Sequence, residues 1–329
     1  MPVIDTNGFG AIRSLLLVSL FGIGLVASTA LPAVAGSGSF NTTGSMNVAR
    51  IDHTATLLAS GQVLVAGGTN NSRGYLSSAE LYNASARKWT LTGSMTVPRD
   101  GHDAVLLHNG QVLVAGGINA SLGQCGTLSS AELFDPSTGT WTATGSMTIG
   151  NETNWAVLLQ NGEVLVLNDN LYNPSTGTWT ATSRDSIFAH APVVLLPNGG
   201  VYAGGTVQGD SVYNPSTNQW TNFSPPPCTT IHQSCEAAGV LLVTGKVLVG
   251  GGATSVPARP YPIEETNGLA CLFDPSTLTW TTTGSMNKSR LGETMTVLLN
   301  GQVLVAGGNT FDKGSGHLVQ ITSAELYTP

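Results

Sequence analysis

DAVLLHNG (103–110), QVLVAGG (111–117), SSAELFDPSTG (129–139) and TWTATGSM (140–147) follow one another within one short stretch of chain. Each is a Val-, Leu- or Thr-rich run closed by a turn signal. Asn-Gly between the first two runs suits a tight hairpin, and Asp-Pro-Ser-Thr-Gly between the last two suits a longer turn. The stretch predicts four consecutive antiparallel strands. The same four pieces recur along the chain. Their turn glycines, Gly61, Gly110, Gly162, Gly199, Gly245 and Gly301, are spaced by 49, 52, 37, 46 and 56 residues, and Gly-Ser-Met begins at Gly44, Gly93, Gly145 and Gly284.

A four-stranded unit of roughly 40–50 residues repeated in this way describes a propeller blade. These repeats resemble the kelch family. Its marks are double glycines, at Gly67-Gly68, Gly116-Gly117, Gly204-Gly205, Gly250-Gly251 and Gly307-Gly308, with Asn168-Asp169 in their place in the third unit. A third-strand aromatic follows at Tyr82, Phe134, Tyr172, Tyr213, Phe273 and Tyr327, and a fourth-strand tryptophan at Trp89, Trp141, Trp179, Trp220 and Trp280. The expected fold is an all-β, six-bladed kelch-type propeller with units near 44–92, 93–144, 145–180, 181–221, 222–283 and 284–329. The last unit has no fourth strand. The stretch FNTTGSM (40–46) matches WTLTGSM (89–95), with Phe40 in the tryptophan place, so residues 37–46 are expected to complete the last blade and close the ring.

Of 329 residues, 12 are Lys or Arg and 19 Asp or Glu, a charged fraction of 9% against roughly a quarter in ordinary domains. So little charge argues against disorder and against a helical bundle, and a net charge of −7 argues against a nucleic-acid groove. Residues 14–26 form an apolar run, and Ala33-Val34-Ala35 precedes Gly36 as a small-x-small cleavage pattern. Residues 1–35 are therefore expected to be a signal peptide. A retained anchor, which would bring the protein to a membrane, is the alternative. The single propeller domain is then 36–329, and its location secreted, periplasmic or cell-surface. Four cysteines fit an oxidising compartment. Cys228 and Cys235 flank one short loop and suit a local disulfide, leaving Cys125 and Cys271 as buried thiols or in a pairing that spacing does not define.

Arg50, Arg99 and Arg290 each stand four residues after a Gly-Ser-Met methionine, and Glu80, Glu132 and Glu325 precede Leu-aromatic in the same units. Units three to five lose both. Joint presence and joint absence predict structural ion pairs, because a buried charge is tolerable only when paired. His53 and His102 share a repeat position with Glu293. Hydrogen-bonded structural side chains are the expected reading, and a metal site of two histidines and a carboxylate is the alternative. No cofactor is expected.

In kelch-like propellers the loops after the second strands share one face with the blade connections. Here those loops are long in units one, two, five and six (69–77, 118–129, 253–268, 309–321) and nearly absent in units three and four, which walls one side of the mouth. The candidate ligand-binding residues are Arg259, Tyr261 and Glu264, Phe311 and His317, the junction residues His190, His232 and Glu236, and Trp155, which lies outside the tryptophan column. Copper radical oxidases and sialic-acid epimerases resemble this architecture, but neither a Tyr-His copper set nor a defined acid/base pair is present, and no hydrolase or phosphate-loop motif occurs. The expected function is a non-enzymatic recognition scaffold for a protein or glycan partner, with a carbohydrate-active enzyme, of copper-oxidase or sugar-epimerase type, as the alternative.

Overall fold

The computed structural model describes residues 38–120, 126–148, 150, 156–159, 161–166, 170–181, 193–206, 209–214, 219–223, 237–255, 263–312, 314–315 and 317–329. The expected signal segment 1–35 lies outside them. The described residues form no α-helix. They build six four-stranded antiparallel sheets and three two-stranded hairpins.

Sheet one consists of Thr54–Leu57, Val63–Ala66, Ala79–Asn83 and Lys88–Leu91, adjacent in that order. Sheets two to five repeat the pattern from first strands Asp103–Leu106, Ala156–Leu158, Val193–Leu195 and Ala238–Leu241. Sheet six contains Thr294–Val297, Val303–Ala306 and Ala324–Thr328, and its fourth strand is Ser39–Thr42 from the other end of the chain. Phe40 lies opposite Tyr327 in register, as Trp89 lies opposite Tyr82 and Trp141 opposite Phe134. Its ring sits 4.8 Å from that of Tyr327 at 45°, matching Tyr82–Trp89 at 4.9 Å and 45°. Such tilted pairs add to the apolar area that the rings bury.

The second strands are apolar without alternation because both of their faces are covered. All four residues of Val63–Ala66, Val112–Ala115, Val247–Gly250 and Val303–Ala306 are buried. Each apolar cluster straddles two sheets. The clusters join sheet four to five, five to six, six to one, one to two and two to three. The core is thus a series of seams. A sheet here is stable through its neighbours, since a lone four-stranded sheet leaves one apolar face in water.

The Gly-Ser-Met glycine is fixed by a seam. Gly93 N–H donates to Gly139 O at 3.0 Å, and Trp141 Nε1 donates to Gly93 O at 2.8 Å. The Gly139 carbonyl occupies the space that a Cβ on Gly93 would need. Gly145 with Gly177 and Trp179 repeats the arrangement.

Two sequence readings are corrected. In unit five the double glycine is Gly251-Gly252, not Gly250-Gly251: Gly250 ends the second strand, where sheet one has Ala66, and the positive φ values fall at 251 and 252 (77° and 87°). In unit four Gly204-Gly205 lies within the strand Val201–Thr206, at a register shift.

Candidate functional site

The foundation of the candidate face is three buried ion pairs. Arg50 Nη2 lies 3.1 Å from Glu80 Oε1, Arg99 Nη2 3.3 Å from Glu132 Oε1, and Arg290 Nη2 2.7 Å from Glu325 Oε1. Each arginine and each glutamate is buried. Burial lowers the Arg50 and Arg99 pKa values, against the pull of Glu80 and Glu132. Burial raises that of Glu325, but hydrogen bonds from Asn287 and Arg290 outweigh it and hold the carboxyl below its usual range. The pairs also organise backbone. Arg99 Nη1 donates to Gly116 O (2.7 Å) and Ser130 O (2.8 Å), and Glu132 accepts the Thr96 and Val97 N–H groups at 2.7 and 3.0 Å. The arginine thus fastens the double glycine, and the glutamate fastens the Gly-Ser-Met connection. A serine joins each set: Ser78, Ser130 and Ser323 accept from Arg50, Arg99 and Arg290. Ser-Ala-Glu-Leu at 78–81, 130–133 and 323–326 was the available signal, because this serine accompanies the arginine in the same units.

Where the arginine is lost, the glutamate place is filled differently. Asn170 Oδ1 accepts from Thr148 N–H and Oγ1 at 3.0 and 2.9 Å. In sheet five the place belongs to Cys271, which is buried and disulfide-bonded, so its reading as a thiol is corrected. The expected Cys228–Cys235 bridge and Cys125 lie outside the described residues.

His53, His102 and Glu293 each sit at a different seam. Each packs on the first glycine of the preceding sheet's pair: His53 on Gly307, His102 on Gly67 and Glu293 on Gly251. His53 Nε2 shares a hydrogen bond with Thr294 Oγ1 at 3.0 Å, and His102 Nε2 with Thr54 Oγ1 at 3.0 Å. Among the described residues no group of three or more His, Cys, Asp or Glu is placed to hold a metal ion. Desolvation, reinforced by Arg50, pulls the His53 pKa down to about 3. Desolvation, with Arg99, His53 and Arg50, holds that of His102 well below 6.5.

Above this foundation stand the hairpins that follow the second strands: Thr69–Asn70 with Gly74–Tyr75, Ala253–Ser255 with Ile263–Thr266, and Asn309–Asp312 with His317–Gln320. They are tied to one another. Asn71 N–H donates to Gln320 Oε1 at 2.5 Å, and Gln320 Nε2 donates to Thr69 O at 3.2 Å. Phe311 N–H donates to Thr266 Oγ1 at 3.2 Å, and Thr266 Oγ1 meets Ser289 Oγ at 2.7 Å. The hairpins of sheets five, six and one therefore form one continuous wall. Gln320 and Thr266, which link it, carry no motif and were not legible.

On this wall Phe311 is partly exposed and His317 exposed. Asp312 is committed to its own turn, accepting from the Gly314 and Ser315 N–H groups, with Ser315 the main cause of its lowered pKa. Arg259, Tyr261, His190, His232, Glu236 and Trp155 lie outside the described residues. Glu264 is a strand position at the register shift of its hairpin, between Ile263, opposite Ser255, and Glu265, opposite Thr254. A separate polar cleft of about 430 Å³ lies at the two–three seam, lined by His108, Asn109, Asn161, Glu163 and Ser175 among others. It belongs to the hairpin turns at the opposite ends of the second strands.

The family model described as Kelch motif matches residues 54–96 and 104–148, the first two sheets with their connections. No curated protein is significantly similar in sequence. Among solved structures, that titled "Structure of YjhT" aligns with a TM-score of 0.64 at 15% identity, covering 86% of this chain and 96% of the other. At that identity the likeness speaks for the fold alone. The chain thus carries kelch motifs at residues 54–96 and 104–148 and is similar in its β-propeller fold to that structure.

Proposed function

We propose that the six sheets are the blades of a closed six-bladed propeller spanning residues 36–329, and that the protein is an exported, non-enzymatic recognition scaffold whose walled face binds a protein or glycan. Support for closure comes from the cluster order four, five, six, one, two, three, which among the described residues leaves one seam, between sheets three and four, consecutive in sequence. Support for export comes from residues 1–35 and from the Cys271 disulfide, which suits an oxidising compartment.

The observation that carries the binding reading is the wall itself. Three hairpins held to one another, two of them on sheets that carry a buried ion pair, present a preorganised surface, which reduces the ordering cost of association. Arg259, Tyr261 and Glu264 extend this face in sequence, and Phe311 and His317 offer a ring edge and an imidazole suited to sugars or peptide side chains. The test is titration of the exported protein against glycan and peptide arrays, repeated with Phe311→Ala/His317→Ala and with Arg259→Ala/Tyr261→Ala. Saturable binding that both variants weaken by about tenfold or more, with unchanged melting curves, is expected. Full affinity in both variants removes the face. Copper-dependent peroxide release or sugar epimerisation in place of binding overturns the scaffold reading.

A further inference from the structure

The search for a second site leads to the two histidines that neither the ion pairs nor the wall uses. Each sits at a seam. His53 belongs to sheet one, packs on Gly307 of sheet six and bonds Thr294 of sheet six. His102 belongs to sheet two, packs on Gly67 of sheet one and bonds Thr54 of sheet one. Backbone bonds cross the same seams beside them: Gly308 N–H to Arg50 O at 3.0 Å and Gly68 N–H to Arg99 O at 2.9 Å. The five–six seam has the corresponding bond, Gly252 N–H to Arg290 O at 2.9 Å, with Glu293 in the histidine's place.

We propose that His53 and His102 form an acid-sensitive latch, holding the six–one and one–two seams shut while both imidazoles are neutral and releasing them on protonation. The reason is geometric. A neutral imidazole satisfies its threonine with one nitrogen. In the tautomer whose Nε2–H donates to Thr294, a second proton falls on Nδ1, which is buried without a hydrogen-bond partner, and in either tautomer the imidazolium adds a positive charge in the field of Arg50. The imidazolium is accommodated only when the seam parts and water reaches it. The low His53 pKa of about 3 is the same statement from the closed side. Arg99, His53 and Arg50 oppose protonation of His102. Glu293 precedes Thr294 on the facing sheet, and Asp52 and Asp103 flank the histidines. Asp100, beside Arg99, has a pKa raised by burial to about 6 and titrates in the opposite sense.

The latch reaches beyond stability because the Asn71–Gln320 and Gln320–Thr69 bonds of the wall cross the same six–one seam. Opening the seam would separate the two hairpins.

The test is native-state amide hydrogen exchange of the whole protein at pH 7 and pH 4.5, corrected for intrinsic rates. With an opened-state histidine pKa near 6.5, the protection of Gly308 should fall on the order of 100-fold at pH 4.5. Gly68 should fall less, because Asp100 offsets part of the effect. Gly252, at the seam without histidine, should change by about twofold or less. His53→Gln keeps a nitrogen at the Nε2 place and does not titrate, so it should hold Gly308 protection level with pH. Equal loss of protection at Gly308, Gly68 and Gly252 in the wild type overturns the latch, as does no loss at all. Those measurements stand even if the variant fails to fold.

Discussion

Glu132→Gln should be among the most damaging single-atom changes in this protein. The carboxylate accepts Thr96 N–H at 2.7 Å, Val97 N–H at 3.0 Å and Arg99 Nη2 at 3.3 Å, in a buried site. Glutamine retains one acceptor oxygen, so at least one of these donors faces an amide NH2. Arg99 loses its counter-charge but keeps two carbonyls, Gly116 O and Ser130 O. Breaking a buried pair from one side costs about 3–5 kcal/mol, and the remaining carbonyls place this case near the lower end. About 3 kcal/mol corresponds to a melting temperature lower by roughly 6–12 °C for a chain of this size. Arg99→Met alone should cost a similar amount by stranding the carboxylate. The double variant removes both charges and adopts the neutral solution that sheet three already uses, where Asn170 caps the same connection. It should therefore be more stable than Glu132→Gln alone, giving a coupling energy on the order of 3 kcal/mol. Urea denaturation followed by tryptophan fluorescence measures all four corners of the cycle. Losses that add to within about 0.5 kcal/mol would show that the two side chains act independently and would refute the pairing.

Gly93→Ala should destabilise far more than Gly110→Ala, as measured by thermal melting. The first forces a methyl onto the Gly139 carbonyl at a seam, whereas the second, at φ 85° with nothing within 4 Å, carries only the strain of left-handed backbone, about 1–2 kcal/mol. Phe40→Ala should lose about 3 kcal/mol or more, because it empties the place that tryptophan fills in other sheets and uncovers Tyr327. Removing residues 38–46 should lower the melting temperature further still, and an unchanged melting curve would refute the role of this strand.

The architecture was legible because it is written repeatedly. Turn glycines and the aromatic column recur in every unit, and Phe40 stands in the tryptophan place of the last, so errors in one unit are outvoted by the others. The unit-five glycine assignment failed for a local reason: in Gly250-Gly251-Gly252 three identical residues admit two registers, and only the left-handed φ values separate them. The arginine and glutamate columns were legible by their joint absence in three units. The histidine column was legible as hydrogen-bonded structural side chains, but its partners were not, because a sequence shows that positions are equivalent and not that equivalent positions face different neighbours. A residue that repeats around a set of seams packs on the previous sheet each time. The hairpin ties were illegible for the opposite reason. Gln320 and Thr266 occur once, and their meaning depends on loops from other units.

The distribution of these devices is itself informative. Buried ion pairs occur in sheets six, one and two, and the histidine or glutamate wedges occupy the five–six, six–one and one–two seams. The same consecutive sector carries the tied hairpins of sheets five, six and one. A surface of loops loses affinity to its own conformational entropy unless its base is fixed, because ordering each rotamer-rich side chain costs about 0.5–1.5 kcal/mol on binding. Burying charge to fasten a backbone is expensive where apolar packing would serve, as sheet five shows with a disulfide and sheet three with an amide. Its presence under two of the three tied hairpins argues that rigidity there serves recognition. If so, Glu80→Gln, beneath the sheet-one hairpin, should weaken ligand binding at temperatures well below its melting transition. Asn170→Ala, in a sheet without a long hairpin, should lower stability and leave affinity unchanged.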